Sequence, residues 1–496
     1  MGKIVKQSFF TTISSYIGVV VGYVNVLWLL PYALSPEEIG IFRTIQDMGL
    51  LLVPFAQLGL GHGITRFYPR VKNHQFAFFT FSLFLTLLGF GAVALGFVVF
   101  KEQLVQAYAA NSPELINFLG VVLFITLFAV LNSVLDAFTR SFMKIAVPTF
   151  FREVVLRLLV SAIVGAYLLG WLSFEQLMWG LADIYLFTLL GMIIYMIKNG
   201  MFKLQFDWSV LTSGFRREYL QYSLITLLGT AGSILIMKID SLMVTSMIGL
   251  DANAIYAIGF SIAVVIEMPR RAVSQVVMPV IADKFAQNQP REIDQLYKNV
   301  AVNQLLLCLL IFLGIWANID NLYHFVPNKE IYQAGKWVVL LIGLGKLSDV
   351  LFSVNGEIIV FSRFYVFNIT STLLMCLMVV LLNLLMIPIW GIEGAAAASL
   401  LAMFSYNLIK YVYIKKRLGF DPFSWDIAKI VALGLLVYGT NHFLIPTFEP
   451  VLLDILLRSG MIALLYGLGI WVTRIAPDMQ KMVWLKSSNF LRNHLQ

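Results

Sequence analysis

The chain has 496 residues, 59% hydrophobic and only 12% charged, with a formal net charge of +8 and a mean hydropathy of +0.84. Soluble domains carry about 25% charged residues, so too little polar surface is available to coat a water-soluble body of this length, and the main solvent must be lipid. Lys and Arg fall in short segments between apolar runs, without a contiguous basic groove or an aromatic nucleic-acid motif, which argues against a nucleic-acid partner.

A helix needs about twenty residues to cross a hydrocarbon core of about 30 Å. The first apolar run follows Lys3 and Lys6 and continues to Leu34. It is too long for a signal-peptide core and lacks a small-residue cleavage site, so it reads as a retained first span over 9–34. Further spans are expected over 39–67, 76–100, 114–139, 149–170 and 174–197. The basic segment 198–216 then divides the chain as an inter-lobe linker. A second set follows at 217–249, 252–282, 296–318, 332–361, 365–388 and 391–414, with two more at 426–445 and 451–474. The fold class is therefore an all-α integral membrane protein of about fourteen transmembrane helices. Cys308 and Cys376 both lie inside apolar helices and read as small core hydrophobes. The five histidines (His62, His74, His324, His442, His494) are scattered singly and suggest no metal centre.

The loops set the orientation. Cations gather at Arg66/Arg70/Lys72, Arg140/Lys144, Lys198–Arg217, Lys284–Lys298, Arg363, Lys410–Arg417 and in a tail with Arg474, Lys481, Lys486 and Arg492. The alternate loops, including Ser35–Glu38, Gly249–Asn253 and Ile445–Val451, are nearly free of them, with Lys101 and Lys329 as exceptions. The positive-inside rule places both termini in the cytoplasm. Every outer loop is short, which argues against a membrane glycosyltransferase or polymerase.

The halves echo each other at an offset of 214 residues. Leu34-Ser-Pro-Glu-Glu-Ile-Gly-Ile-Phe42 aligns with Ile248-Gly-Leu-Asp-Ala-Asn-Ala-Ile-Tyr256, and a weaker echo pairs Asp136…Arg140 with Glu357…Arg363. The offset spans an even number of helices, so the repeat is parallel, about an axis along the membrane normal. Such repeats are a transporter signature, with the substrate site at their interface.

Three stretches carry a family resemblance. The first is Leu30-Pro-Tyr-Ala-Leu-Ser-Pro-Glu-Glu-Ile-Gly-Ile-Phe42, running to Leu58-Gly-Leu-Gly61 and Arg66-Phe-Tyr68. The second joins Tyr222-Ser, Ile239-Asp240-Ser241, Ile255-Tyr256 and Met278-Pro279. The third is Leu382-Asn-Leu-Leu-Met-Ile-Pro388 with Gly391-Ile-Glu-Gly-Ala-Ala-Ala-Ala398. Taken in order, they resemble the polysaccharide-exporter, O-antigen flippase-like branch of the multidrug/oligosaccharidyl-lipid/polysaccharide (MOP) flippase superfamily. The resemblance implies two six-helix lobes, over 1–197 and 217–414, and two extra C-terminal helices followed by a cytoplasmic tail over 415–496. It also implies alternating access in the bacterial inner membrane, with a polyprenyl-diphosphate-linked glycan as cargo. A monomer working beside polysaccharide polymerase machinery is the expected assembly. A cell-wall lipid-precursor flippase and a drug/ion antiporter of the same superfamily are the alternatives.

Ionisable residues inside the membrane are functional candidates by default. Helix 8 carries Glu267, Arg270 and Arg271 around Pro269, and one carboxylate cannot neutralise both arginines. The proline predicts a kink or unwound turn, and the guanidinium forks suit the oxygens of a diphosphate. Arg43, Arg66 and Lys238 complete the expected substrate-binding cations, while Asp47, Asp240 and Glu267 are the expected ion-coupling or charge-partner acids. Lys238 and Asp240, two residues apart, point about 200° from each other, so one faces a cavity and the other a neighbouring helix. Arg43–Asp47, Asp136–Arg140, Glu153–Arg157 and Lys346–Asp349 have the spacing of within-helix pairs. No nucleotide-binding P-loop is present, which leaves an H+ or Na+ gradient, membrane potential or substrate supply as the energy source; no cofactor is expected.

Overall fold

The computed structural model describes residues 2–475, and among them the secondary structure is helical, without strands. Lys481, Lys486, Arg492 and His494, and the side chains of Lys3 and Lys6, lie outside the described residues. Among the described residues eleven helices are long and apolar enough to cross a membrane, or twelve if Lys329–Leu351 and Asn355–Phe361, bent by 45°, count together as one span. The 54-residue helix Tyr365–Leu418 breaks at Gly391 (φ 58°, ψ −135°) and supplies two of the expected spans. The charged segment 146–168 supplies another. The expected apolar segments are thus helical, and the number of spans agrees approximately with the fourteen expected.

The exterior is that of a protein dissolved in lipid. Leu95, Leu385 and Leu456 are each at least 65% exposed, whereas Thr44, Gln304, Asn383 and Asn407 are fully buried. In water this arrangement would be inside-out; in hydrocarbon it puts polar groups where protein partners exist. The chain is a multi-span membrane protein.

Contacts gather the chain into two compact units. One holds residues 1–258 with 326–331 and 383–395, and the other holds 259–325, 332–382 and 396 onward. The expected lobes divide at 198–216, whereas contacts divide near 258, because Ser213–Met247 packs along Pro36–Gln57 and Leu60–Phe67.

In the first unit, Pro36–Gln57 is central, packed on Leu119–Ser141, Gln75–Val99 and Ser213–Met247. It starts with a capping box: Ser35 accepts from the Glu38 N–H, and Glu38 accepts from the Ser35 N–H, satisfying two otherwise orphan donors. The expected unbroken helix over 39–67 stops at Gln57 and restarts at Leu60, through Leu58 (φ 54°) and Gly59 (φ 69°). A Cβ at Gly59 would collide with the Ser223 carbonyl oxygen, so the approach of Ser213–Met247 fixes the break as much as Pro54 does. The segment after Lys198 is irregular but packed. Phe202 and Trp208 meet Phe79 and Phe81 with centroids 5.5 Å apart, and the Gln205 N–H donates to Thr80 Oγ1 at 2.9 Å.

In the second unit, Pro290–Ala317 takes the central place, packed on Met268–Ala286, Lys336–Leu351, Trp425–Leu444 and Val451–Thr473. Cys308, Ile430, Val437 and Tyr466 share its core, and the Tyr466 hydroxyl donates to the Leu306 carbonyl at 3.2 Å. The two C-terminal helices belong to this unit.

Candidate functional site

The first unit contains a cavity of about 470 Å³ lined by apolar side chains and by Asp136, Arg140, Arg152 and Lys238. Three cations face one carboxylate, and Asn132, Ser133, Tyr185 and Thr188 interrupt otherwise apolar walls. Lys238 comes from Ser213–Met247 and pairs with Asp47 of Pro36–Gln57 at 2.5 Å. Arg152 donates to Asp136 at 2.9 Å and to Glu153 at 3.1 Å, and Arg140 also meets Asp136. Each guanidinium has five N–H donors, and both arginines are half exposed, so they keep donors for an anionic guest. Arg152 sits in a π-turn, Phe151–Val155, and a second π-turn, Asn25–Leu29, lies in the first helix. Asn25 Nδ2 donates to the Arg157 carbonyl at 2.8 Å, and Ser161 donates to Asn25 Oδ1 at 2.7 Å. The Asn25 side chain thus ties the π-turn of the first helix to the turn that follows Phe151–Val155, and π-turns are frequent at functional sites.

The second unit holds a separate charge cluster. Helix 8 is interrupted as expected: a 3₁₀ turn, Val265–Glu267, precedes Met268–Ala286 with Pro269 in its first turn. Glu267 is buried and meets Lys346 at 2.7 Å, Arg271 at 3.2 Å and Arg270 at 3.8 Å. Arg270 has a better partner in Asp349 at 2.9 Å and also donates to the Ser353 carbonyl at 3.3 Å. The carboxylate missing from the sequence argument is therefore Asp349, and Lys346 adds a third cation, leaving one excess positive charge in the cluster. Asp349 accepts from Asn407 at 3.0 Å, and Asn407 accepts from Asn355 at 2.9 Å. Arg271 is half exposed, whereas Arg270 is largely enclosed.

Lys238 and Asp240 diverge as their spacing requires. Lys238 lines the cavity, while Asp240 is buried and accepts from the Tyr256 hydroxyl at 2.9 Å and from Asn383 Nδ2 at 2.7 Å. Two of the expected within-helix pairs form, Asp136–Arg140 and Glu153–Arg157. Two do not. Asp47 turns to Lys238 instead of Arg43, and Asp349 to Arg270 instead of Lys346. Arg43 keeps a buried, unpartnered Nη2 beside this network. Arg66 is exposed, with its guanidinium 4.3 Å from the Tyr222 ring centroid.

Among the expected site residues, the cavity gathers only Lys238, with Asp47 as its partner; Glu267, Arg270 and Arg271 form the second cluster. Asp136 and Arg140, which sequence spacing reads as a within-helix pair, line the cavity together with Arg152. The Asp136–Arg152 contact joins residues sixteen positions apart on different helices, so no periodicity signals it.

The chain is a bundle of apolar, membrane-length helices, and its first unit encloses a charged, amphipathic cavity, an architecture that membrane transporters share. The sequence places it further: the chain belongs to the polysaccharide biosynthesis protein family, whose model matches residues 4–285, and the MatE family model matches residues 226–389. No curated protein matches the sequence. The fold is that of the MOP superfamily. It is similar to the lipid II flippase MurJ in an inward closed conformation, at 14% identity over 99% of this chain and 100% of that one, with a TM-score of 0.73. It is also similar to an inward-facing multidrug resistance MATE family transporter, at 14% identity over 83% and 94% of the two chains, TM-score 0.58. A MOP superfamily transporter from Pyrococcus furiosus, described as having a binding pocket of reverse polarity, is similar at 15% identity over 84% and 95% of the two chains, TM-score 0.55.

Proposed function

We propose that the protein is a flippase that moves a polyprenyl-diphosphate-linked oligosaccharide across the bacterial inner membrane by alternating access, for O-antigen-type surface polysaccharide biosynthesis. The observation that carries this reading is the cavity on which Arg140, Arg152 and Lys238 converge among apolar walls. A lipid-linked diphosphate needs both: charge-assisted hydrogen bonds for its oxygens and apolar surface for its chain. Arg270 and Arg271 offer a second cationic station, and Arg43 and Arg66 add positive charge elsewhere. Both termini are cytoplasmic in this reading, supported by the cation-rich loops.

Asp47, Asp240 and Glu267 are the acids through which an H+ or Na+ gradient would couple. The Asp240 carboxylate is buried and accepts hydrogen bonds from Tyr256 and Asn383. The likeness to the lipid II flippase over the whole chain, including the two C-terminal helices, favours a cell-wall lipid precursor as the second reading. Cargo distinguishes the two; the mechanism is shared.

Depletion of the protein in its host is the test. Lipid-linked glycan should accumulate in the cytoplasmic leaflet while surface polysaccharide falls, and Arg152→Ala with Lys238→Met should reproduce the defect in protein that is still inserted. Continued polysaccharide export after depletion would overturn the reading.

A further inference from the structure

The second compact unit holds a cavity of about 300 Å³ that shares no lining residue with its Arg270–Glu267 cluster, at ends of Pro290–Ala317, Lys336–Leu351, Trp425–Leu444 and Val451–Thr473. Its size is at the small end of ligand pockets, about 300–1,000 Å³. Under the topology proposed above, this end faces the periplasm, since the cation-poor loop Ile445–Val451 joins two of the helices there.

Its walls have a consistent chemistry. Trp316 and Tyr438 supply aromatic surface, and Tyr438 stacks with His442 at 5.8 Å between centroids. Asp454 and Arg458, both at least nine-tenths buried, pair at 2.7 Å. Asp454 also accepts from Asn321 Nδ2 at 2.5 Å and the Phe448 N–H at 3.1 Å, while Arg458 donates to the Pro446 carbonyl at 3.2 Å. Lys336 meets Asp320 at 2.7 Å. Every lining carboxylate is matched by a cation, so no surplus charge is left to hold an ion or a phosphate. The His442 ring and the Thr447 hydroxyl, by contrast, make no hydrogen bond among the described residues.

Aromatic faces, rigidly held planar polar groups and balanced charge together suit one ligand class: an uncharged sugar ring. Such a ring lays a C–H face on an aromatic side chain and spreads hydroxyls that donate and accept around its edge. We propose that this cavity binds a neutral sugar unit of the glycan on the release side, held between Trp316 and Tyr438 with hydroxyls against His442, Thr447 and the Asp454–Arg458 pair. The inference deepens the export reading and rests on it for the source of the sugar.

Saturation-transfer NMR on the full chain, in a detergent without a sugar headgroup, tests it with glucose, galactose, N-acetylglucosamine and rhamnose as probes. At least one neutral sugar should receive saturation. Trp316→Ala should weaken that binding about tenfold, equivalent to about 1.4 kcal/mol, whereas Trp316→Phe, which keeps a stacking face, should retain most of it. His442→Ala should weaken it without altering the melting temperature. Binding of polyprenyl diphosphate without sugar is measured on the same samples and should be unchanged by Trp316→Ala. No signal from any sugar, or equal signals from wild type and Trp316→Ala, overturns the sugar site while carrier binding leaves the export reading standing. Sugar binding without carrier binding would instead keep the site and remove the reading it rests on.

Discussion

Replacing Lys238 by Met removes one cation from the cavity and strips Asp47 of its partner. A charge-assisted hydrogen bond contributes about 1.5–3 kcal/mol, which is about 10- to 150-fold in affinity. Lys238 is a quarter exposed, so solvent screening places the direct loss near the lower end. The uncompensated Asp47 carboxylate then repels an anionic guest as well, and Lys238→Met should weaken polyprenyl-diphosphate binding by about a hundredfold overall. Adding Asp47→Asn removes the repulsion but not the lost attraction, so the double variant should recover to about tenfold weaker than wild type. Asp47→Asn alone frees the ammonium and should bind as tightly as wild type or tighter. Equilibrium binding of the sugar-free carrier to protein in nanodiscs reads all four corners of this double-mutant cycle. Wild-type affinity in Lys238→Met, or identical affinities in the single and double variants, would refute the role given to the pair.

Glu267→Gln leaves the enclosed Lys346 without its carboxylate, and breaking such a pair costs about 3–5 kcal/mol; thermal melting in detergent should fall by many degrees, and an unchanged melt would contradict the cluster's geometry. Gly59→Ala should lower the yield of folded protein and its melting temperature, because the added Cβ meets the Ser223 carbonyl at a positive φ; wild-type behaviour would show that the helices separate easily there. Asp421 lies in the loop between Tyr365–Leu418 and Trp425–Leu444. Burial pushes its carboxyl up, but the hydrogen bonds from Lys415 and the Phe423 N–H outweigh that and hold it below the ordinary value of 3.8. A carboxylate with a depressed folded value stabilises above its unfolded value and loses that contribution as pH falls through the folded one. The melting difference between wild type and Asp421→Asn should therefore be constant above about pH 5 and shrink below 3.8; a difference that grows in acid would reverse the assignment.

The helical class and the approximate number of spans were legible because lipid imposes one rule on every span: about twenty apolar residues with their backbone hydrogen bonds closed internally. Departures from straight helix were not, because neighbours set them. The break at Leu58–Gly59 answers to Ser223, and the π-turns at Asn25 and Arg152 answer to each other's helices. Pro269 was readable because the missing N–H acts within its own turn. Charges divide along the same line. Asp136–Arg140 and Glu153–Arg157 found the partners their spacing offers. Asp47 and Asp349 found closer cations on other helices, Lys238 and Arg270. Spacing reports only the neighbours on one helix face, so Arg152 and Asp136 could not be joined, whereas the opposed directions of Lys238 and Asp240 could be derived from the helical pitch alone.

Translocation in a defined membrane is the most direct test of the proposed export. Purified protein in liposomes, given a polyprenyl-diphosphate-linked glycan with a reporter sugar, should move the reporter between leaflets faster than protein-free liposomes do. Arg152→Ala and Lys238→Met should each slow that movement about tenfold or more. Movement no faster than in empty liposomes, or as fast in both variants as in the wild type, would contradict it.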